Sequence, residues 1–166
     1  MRKFFAAIAL MALFPSAGFA CSLIMSPEFQ IDRTQHASTP PPIKVRDVNF
    51  VPWLSDAATC DGVGFITIEL SGMRRRDIKN YGVFIRAQSG VNDKDLFPRT
   101  PLALRRDRNG SIVINWAWTG ISPDADGKVR WKLELVPVSR SGALGSPIPI
   151  CVASDDSCPK LANHRP

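Results

Sequence analysis

From Val129 to Leu135 apolar and charged residues alternate one for one: Val129, Trp131, Leu133 and Leu135 fall on one side, and Arg130, Lys132 and Glu134 on the other. A period of two sends successive side chains to opposite faces, which predicts a half-buried antiparallel strand. The same period recurs upstream. Ile66, Ile68 and Leu70 alternate with Thr67 and Glu69 in residues 63–70. Ile112, Ile114, Trp116 and Trp118 alternate with Ser111, Val113, Asn115 and Ala117. Residues 81–87 are rich in β-branched and aromatic side chains. Residues 43–51 form a less regular strand stopped by Pro52, and residues 101–105 a short one whose leading proline suits a sheet edge. A last strand carries Ile148, Ile150 and Val152.

Turn residues separate these runs. Gly72 and the charged residues 74–77 end the second, and Ser89, Gly90, Asn92 and Asp93 open a longer connection with room for a short helical turn. Arg108-Asn109-Gly110, Asp124-Ala125-Asp126-Gly127 and Ser141-Gly142 supply the later turns. Seven short strands without an intervening helical stretch predict an all-β fold, a seven-stranded antiparallel β-sandwich over residues 43–152.

The run from Val129 through Trp131, Leu133, Leu135, Val136, Pro137 and Val138 to Ser141-Gly142 and Ser146-Pro147 resembles the last hairpin of fibronectin type III domains. Those have an aromatic-alternating strand, a Gly-containing turn and a Ser-Pro lead-in to the final strand. The resemblance implies a fibronectin type III-like or immunoglobulin-like sandwich. It departs at Trp131, where the family usually has Tyr, and in residues 63–70, which lack the family's Trp. Such folds do not fix function.

The first 20 residues change the setting of that domain. Arg2 and Lys3 precede an apolar run over residues 4–14, followed by Pro15, Ser16, Ala17, Gly18, Phe19 and Ala20. Charge, apolar core and small-residue exit are the parts of a signal peptide. The run is shorter than the about 20 residues that span a bilayer. Gly18 and Ala20 suit ordinary signal peptidase cleavage before Cys21. A Cys directly after the cut also resembles bacterial lipoproteins, whose Cys is acylated, but Phe19 puts bulk where that signal has a small residue. The expectation is an exported protein, periplasmic or extracellular, with outer-membrane attachment through Cys21 as the alternative. A flexible Pro-rich leader over 21–42, ending in Pro40-Pro41-Pro42, precedes the domain, and a tail over 153–166 follows it.

Removing residues 1–20 takes Arg2 and Lys3 from the 21 basic residues, leaving 19 against 15 acidic and a net charge of +4. That balance suits some attraction to anionic surfaces. All four cysteines, Cys21, Cys60, Cys151 and Cys158, lie after the cut, and an even count in an exported chain reads as two disulfides. Strand parity puts Cys60 and Cys151 at one pole of the sandwich. A bridge from Cys60 to Cys151 or Cys158 would close about 90 or more residues, for which the chain-entropy relation gives about 4–5 kcal/mol. The alternative is a local Cys151–Cys158 loop with Cys21 reaching Cys60.

Two basic clusters, Arg74-Arg75-Arg76 and Arg105-Arg106-Asp107-Arg108, are candidate contacts for an anionic surface, set against a reading as solvated turns. Nucleic acid is a poor fit, because the aromatics follow the core alternation instead of interleaving with the cations. Asp124-Ala125-Asp126-Gly127 is similar to a fragment of a calcium loop, but its twelfth position is Leu135, so a β-turn explains it better. Trp116, Trp118 and Trp131 belong to the core pattern, leaving Trp53 as the exposed one. His36 and His164 lie at opposite ends of the chain, and Glu28, Glu69 and Glu134 form no pair. No catalytic, metal or cofactor-binding constellation emerges. The expected function is a non-catalytic envelope module binding a protein, a glycan or an anionic surface. The alternatives are an assembly accessory acting by β-strand addition and a small periplasmic hydrolase. An open edge at residues 101–105 would favour strand addition, and a covered one loop-mediated binding.

Overall fold

A computed structural model describes residues 24–36, 38–54, 60–93 and 95–159. The signal peptide expected over residues 1–20, Cys21 and His164 lie outside the described residues. The fold is all-β. Its strands are β1 (Lys44–Val51), β2 (Val63–Ser71), β3 (Tyr81–Ser89), β4 (Leu102–Ala103), β5 (Arg105–Arg106), β6 (Ile112–Thr119), β7 (Arg130–Ser139) and β8 (Ile148–Ala153). They form two antiparallel four-stranded sheets, β1-β2-β6-β5 and β4-β3-β7-β8. Among the described residues the helical content is one 3-10 turn, Arg75–Asn80, and no helix is long and apolar enough to cross a membrane.

The alternation in the sequence becomes the core. Ile66 and Ile68 of β2, Ile114 of β6, and Leu133 and Leu135 of β7 are almost fully buried and belong to a single cluster fed by both sheets. At its centre Trp118 of β6 meets Trp131 of β7 edge-on, ring centroids 5.2 Å apart. Phe50 of β1 contacts both rings, as does Phe97 from the connection after β3. Aromatic pairs favour such tilted geometries. Two of the indole N–H groups have carbonyl partners: Trp118 donates to the Pro52 carbonyl (3.0 Å) and the half-buried Trp116 to the Leu96 carbonyl (2.8 Å).

Among the described residues there are eight strands where seven were expected. The run expected over residues 101–105 divides: Leu102 and Ala103 pair with Val83 and Gly82, while Arg105 and Arg106 pair with Val113 and Ile112. The chain leaves the edge of one sheet for the edge of the other at the buried Leu104. The connection after β3 holds no helical turn among its described residues. Its Leu96 and Phe97 drop into the core instead, and the short helical turn lies at Arg75–Asn80.

The stretch expected to be a flexible leader is packed against the domain over its described residues. The Ser26 N–H donates to the Asn115 carbonyl (2.9 Å), the Ala103 N–H to the Pro27 carbonyl (2.8 Å) and the Phe29 N–H to the Pro101 carbonyl (2.7 Å). These bonds cover the sheet edge at β4 and the start of the β6 edge beyond β5. Phe29, 5% exposed, then lies over Gly82. Farther along, the Asp32 N–H donates to the Arg140 carbonyl and the Ser38 N–H to the Ser141 hydroxyl. Pro40 is buried beside Gly145 before β1 begins. The segment is a strap running from one edge across the end of the β4-β3-β7-β8 sheet to the opposite side. Under it Val136 and Val138 are buried although they face away from the main core. Prolines and a lone Phe need no period to be buried, because the surface receiving them is assembled elsewhere in the chain.

Cys151 and Cys158 form a disulfide, Cα atoms 5.5 Å apart, so the long bridge from Cys60 to either is not made. Cys60 is disulfide-bonded as well.

Candidate functional site

Strand direction alternates, so the connections β2–β3, β5–β6 and β7–β8 emerge at one pole, where the strap also enters β1. The two basic clusters lie on the first two of these. Residues 107–111 form a tight turn: the Gly110 N–H donates to the Asp107 carbonyl (3.1 Å), and the Asp107 carboxylate accepts the Ser111 N–H (2.7 Å). Gly110 has φ of 80°, a conformation that disfavours any side chain. Arg75 lies against this turn: its guanidinium is 3.4 Å from where a Cβ at Gly110 would stand, an ordinary contact distance. One arginine from the β2–β3 connection thus reaches the turn that carries Arg106 and Arg108.

The β2–β3 connection is anchored from below by Met73 and Ile78, which pack against the core. Its 3-10 turn holds the cations outward. Arg74 and Arg76 share Asp77, the first by a hydrogen-bonded pair and the second at 3.9 Å. Arg75, Arg106 and Arg108 are exposed and have no ion pair among the described residues. Lys79 is exposed at the end of the same turn. The β7–β8 connection joins the row, because the Arg140 N–H donates to the Asn80 carbonyl (2.9 Å).

Arg105 does not belong to this surface. Half-buried, it donates from Nη1 to the Met25 carbonyl (2.6 Å) and fastens the strap. The other five expected anionic contacts, Arg74, Arg75, Arg76, Arg106 and Arg108, share the pole. Lys79 and Arg140 were not singled out from the sequence. The parity of the strands was the available signal, since the second, fourth and sixth connections of an up-and-down order share a pole.

The opposite pole is acidic. Among the described residues Asp61, Asp93, Asp95, Asp124 and Asp126 lie on its connections with Arg99 and Lys128, Asp155 and Asp156 follow β8, and Arg130 begins β7. Arg130 is gripped by Asp124 (2.6 Å), Asp126 (3.2 Å) and Asp155 (2.8 Å). The Ser157 hydroxyl, the Arg130 guanidinium and the Ser157 N–H hold Asp155 down to about 2. Asp124 is also held below the ordinary carboxylate value, first by the Lys128 N–H and then by the Asp126 N–H and Arg130. Bonding to these carboxylates, Asp155 first, raises Arg130. The Asp124–Gly127 motif is therefore a β-turn whose carboxylates converge on an arginine. The Cys151–Cys158 disulfide closes the segment that delivers Asp155.

Trp53 is 37% exposed, while Trp118 and Trp131 are buried. Glu69 sits between Arg46 (3.2 Å) and the Ser111 hydroxyl (2.8 Å), and Glu134 stands opposite Arg86 in the β3–β7 register. His36 is exposed on the strap. No protein-family model matches the chain, and no curated protein or solved structure matches it significantly.

Proposed function

We propose that this chain is an exported, non-catalytic binding module whose fibronectin type III-like sandwich presents its basic pole to an anionic partner. One observation carries the reading: Arg75 lies across Gly110, joining both basic clusters into one surface on which Arg75, Arg106 and Arg108 lack ion pairs among the described residues. Cations left without an ion pair attract anions over about a Debye length.

The strand orders support the type III-like or immunoglobulin-like assignment. β1-β2-β6-β5 corresponds to the A-B-E-D order of such sandwiches, and β3-β7-β8 to C-F-G, with β4 as an added edge. The signal-like residues 1–20 and the Cys151–Cys158 disulfide support export to the periplasm or beyond. The strand-addition alternative has less support, since residues 26–29 already occupy the edge at β4. A hydrolytic role has less still: Asp124, Asp126 and Asp155 are committed to Arg130 and to turn amides.

Elution from a sulfated polysaccharide column in a salt gradient tests the reading. Replacing Arg75, Arg106 and Arg108 together by Ser should move elution to clearly lower salt. A control with Arg86, Arg99 and Lys132 replaced by Ser loses the same charge elsewhere and should move it much less. Equal shifts for both variants would mean that net charge alone, and not the pole, binds.

A further inference from the structure

The basic pole also carries exposed aliphatic side chains. Leu144, on the β7–β8 connection, is 52% exposed, and Ile31, on the strap, is 37% exposed. Neither hangs on a loose segment. Leu144 forms an isolated bridge with Val138, and the Gly145 N–H donates to the Pro137 carbonyl (2.8 Å). Ile31 lies over the same turn, its Cγ2 being 3.4 Å from where a Cβ at Gly142 would stand. Its neighbour Asp32 is bonded through its N–H to the Arg140 carbonyl, and Arg140 in turn to Asn80 at the end of the arginine-rich turn. Two aliphatics and a row of cations thus share one rigid end of the molecule, which also holds Asp32, Asp77 and Asp107, with Glu69 bonded to the Ser111 hydroxyl of the same turn.

Resting on the reading that this pole binds anions, we infer that its partner is the phosphate-bearing surface of a lipid bilayer. In this arrangement Leu144 and Ile31 enter the headgroup layer, and Arg75, Arg106 and Arg108 meet the phosphates. A soluble polyanion would engage the cations and leave both aliphatics in water. A bilayer rewards both chemistries at once: apolar side chains leave water at the interface, while cations are drawn to anionic headgroups. The charge division of the molecule sets the orientation, since the acidic pole faces away from an anionic surface.

Sedimentation with vesicles tests this, comparing pure phosphatidylcholine with phosphatidylcholine containing phosphatidylglycerol. The oxidised exported chain should bind the anionic vesicles alone. Each cation near such a surface is worth about fivefold, so replacing Arg75, Arg106 and Arg108 by Ser should weaken binding on the order of a hundredfold. Leu144→Ser should weaken vesicle binding severalfold while leaving elution from the polysaccharide column unchanged. Retention on that column through the three arginines, with no vesicle binding or with binding indifferent to Leu144→Ser, would overturn the lipid inference and leave the anion-binding reading standing. If the arginine variant alters neither assay, both fall.

Discussion

The ring of Phe29 fills the space that a side chain at Gly82 would occupy: a Cβ there would collide with three of its carbon atoms. The strap is therefore built into the fold, because β3 lacks a side chain where the strap crosses it. Two consequences follow. The β4 edge is covered by the chain itself, which removes one template for intermolecular strand pairing. The strap also ties Ile31 to the turn that carries Leu144.

Strap docking is testable at that contact. Phe29→Ala removes a buried aromatic and should cost about 3–5 kcal/mol in denaturant unfolding. Gly82→Val pushes from the other side, and overpacking of this kind costs about 1–3 kcal/mol. Both variants should expose residues 30–42 to limited proteolysis before the sheets unfold. Cleavage rates unchanged from the parent would contradict the docking.

The cysteines make a second prediction. With Cys151 and Cys158 joined and Cys60 bonded, the cysteine remaining in the sequence is Cys21. Non-reduced peptide mapping should find Cys21 linked to Cys60, and intact mass should rise by about four units on reduction, with no acyl increment. Joint replacement of Cys151 and Cys158 by Ser opens a loop with a sequence separation of 7. The chain-entropy relation puts that loss at about 2–3 kcal/mol. Acylated Cys21 would refute the pairing.

A third concerns acid stability. Asp155 has its folded value lowered from 3.8 to about 2. A depressed carboxylate stabilises the fold above its unfolded value, and that contribution is lost as pH falls through the folded value. The melting temperature should therefore drop between about pH 4 and pH 2 by more in the parent than in Asp155→Asn, which has no carboxylate left to protonate. Parallel curves across that window would sink the assignment.

How far these features could be read from the sequence differs from element to element. The period of two in residues 129–135 and in Ile112, Ile114, Trp116 and Trp118 was enough for one inner strand of each sheet, β7 and β6, because burial on one face leaves that trace directly. The run 101–105 was misleading. Leu102 and Leu104 are both buried, as in a continuous strand, yet the chain changes sheets between Ala103 and Arg105. The strap left no trace because Phe29 and Pro40 are buried against a surface made from distant segments. The basic pole was half legible: connection parity places residues 74–76 and 106–108 at one end. The approach of Arg75 to Gly110 depends on how the 3-10 turn leans, which no local pattern encodes.

The basic pole is tested most directly by a residue-resolved map of binding. Amide chemical shifts of the oxidised chain from Cys21 onward should be followed by NMR during titration with short-chain phosphatidylglycerol micelles. Shifts should concentrate in residues 74–80, 106–110 and 140–145 and be absent around Asp124, Asp126 and Asp155. Shifts centred on the acidic pole, or spread evenly over both sheets, would contradict the account.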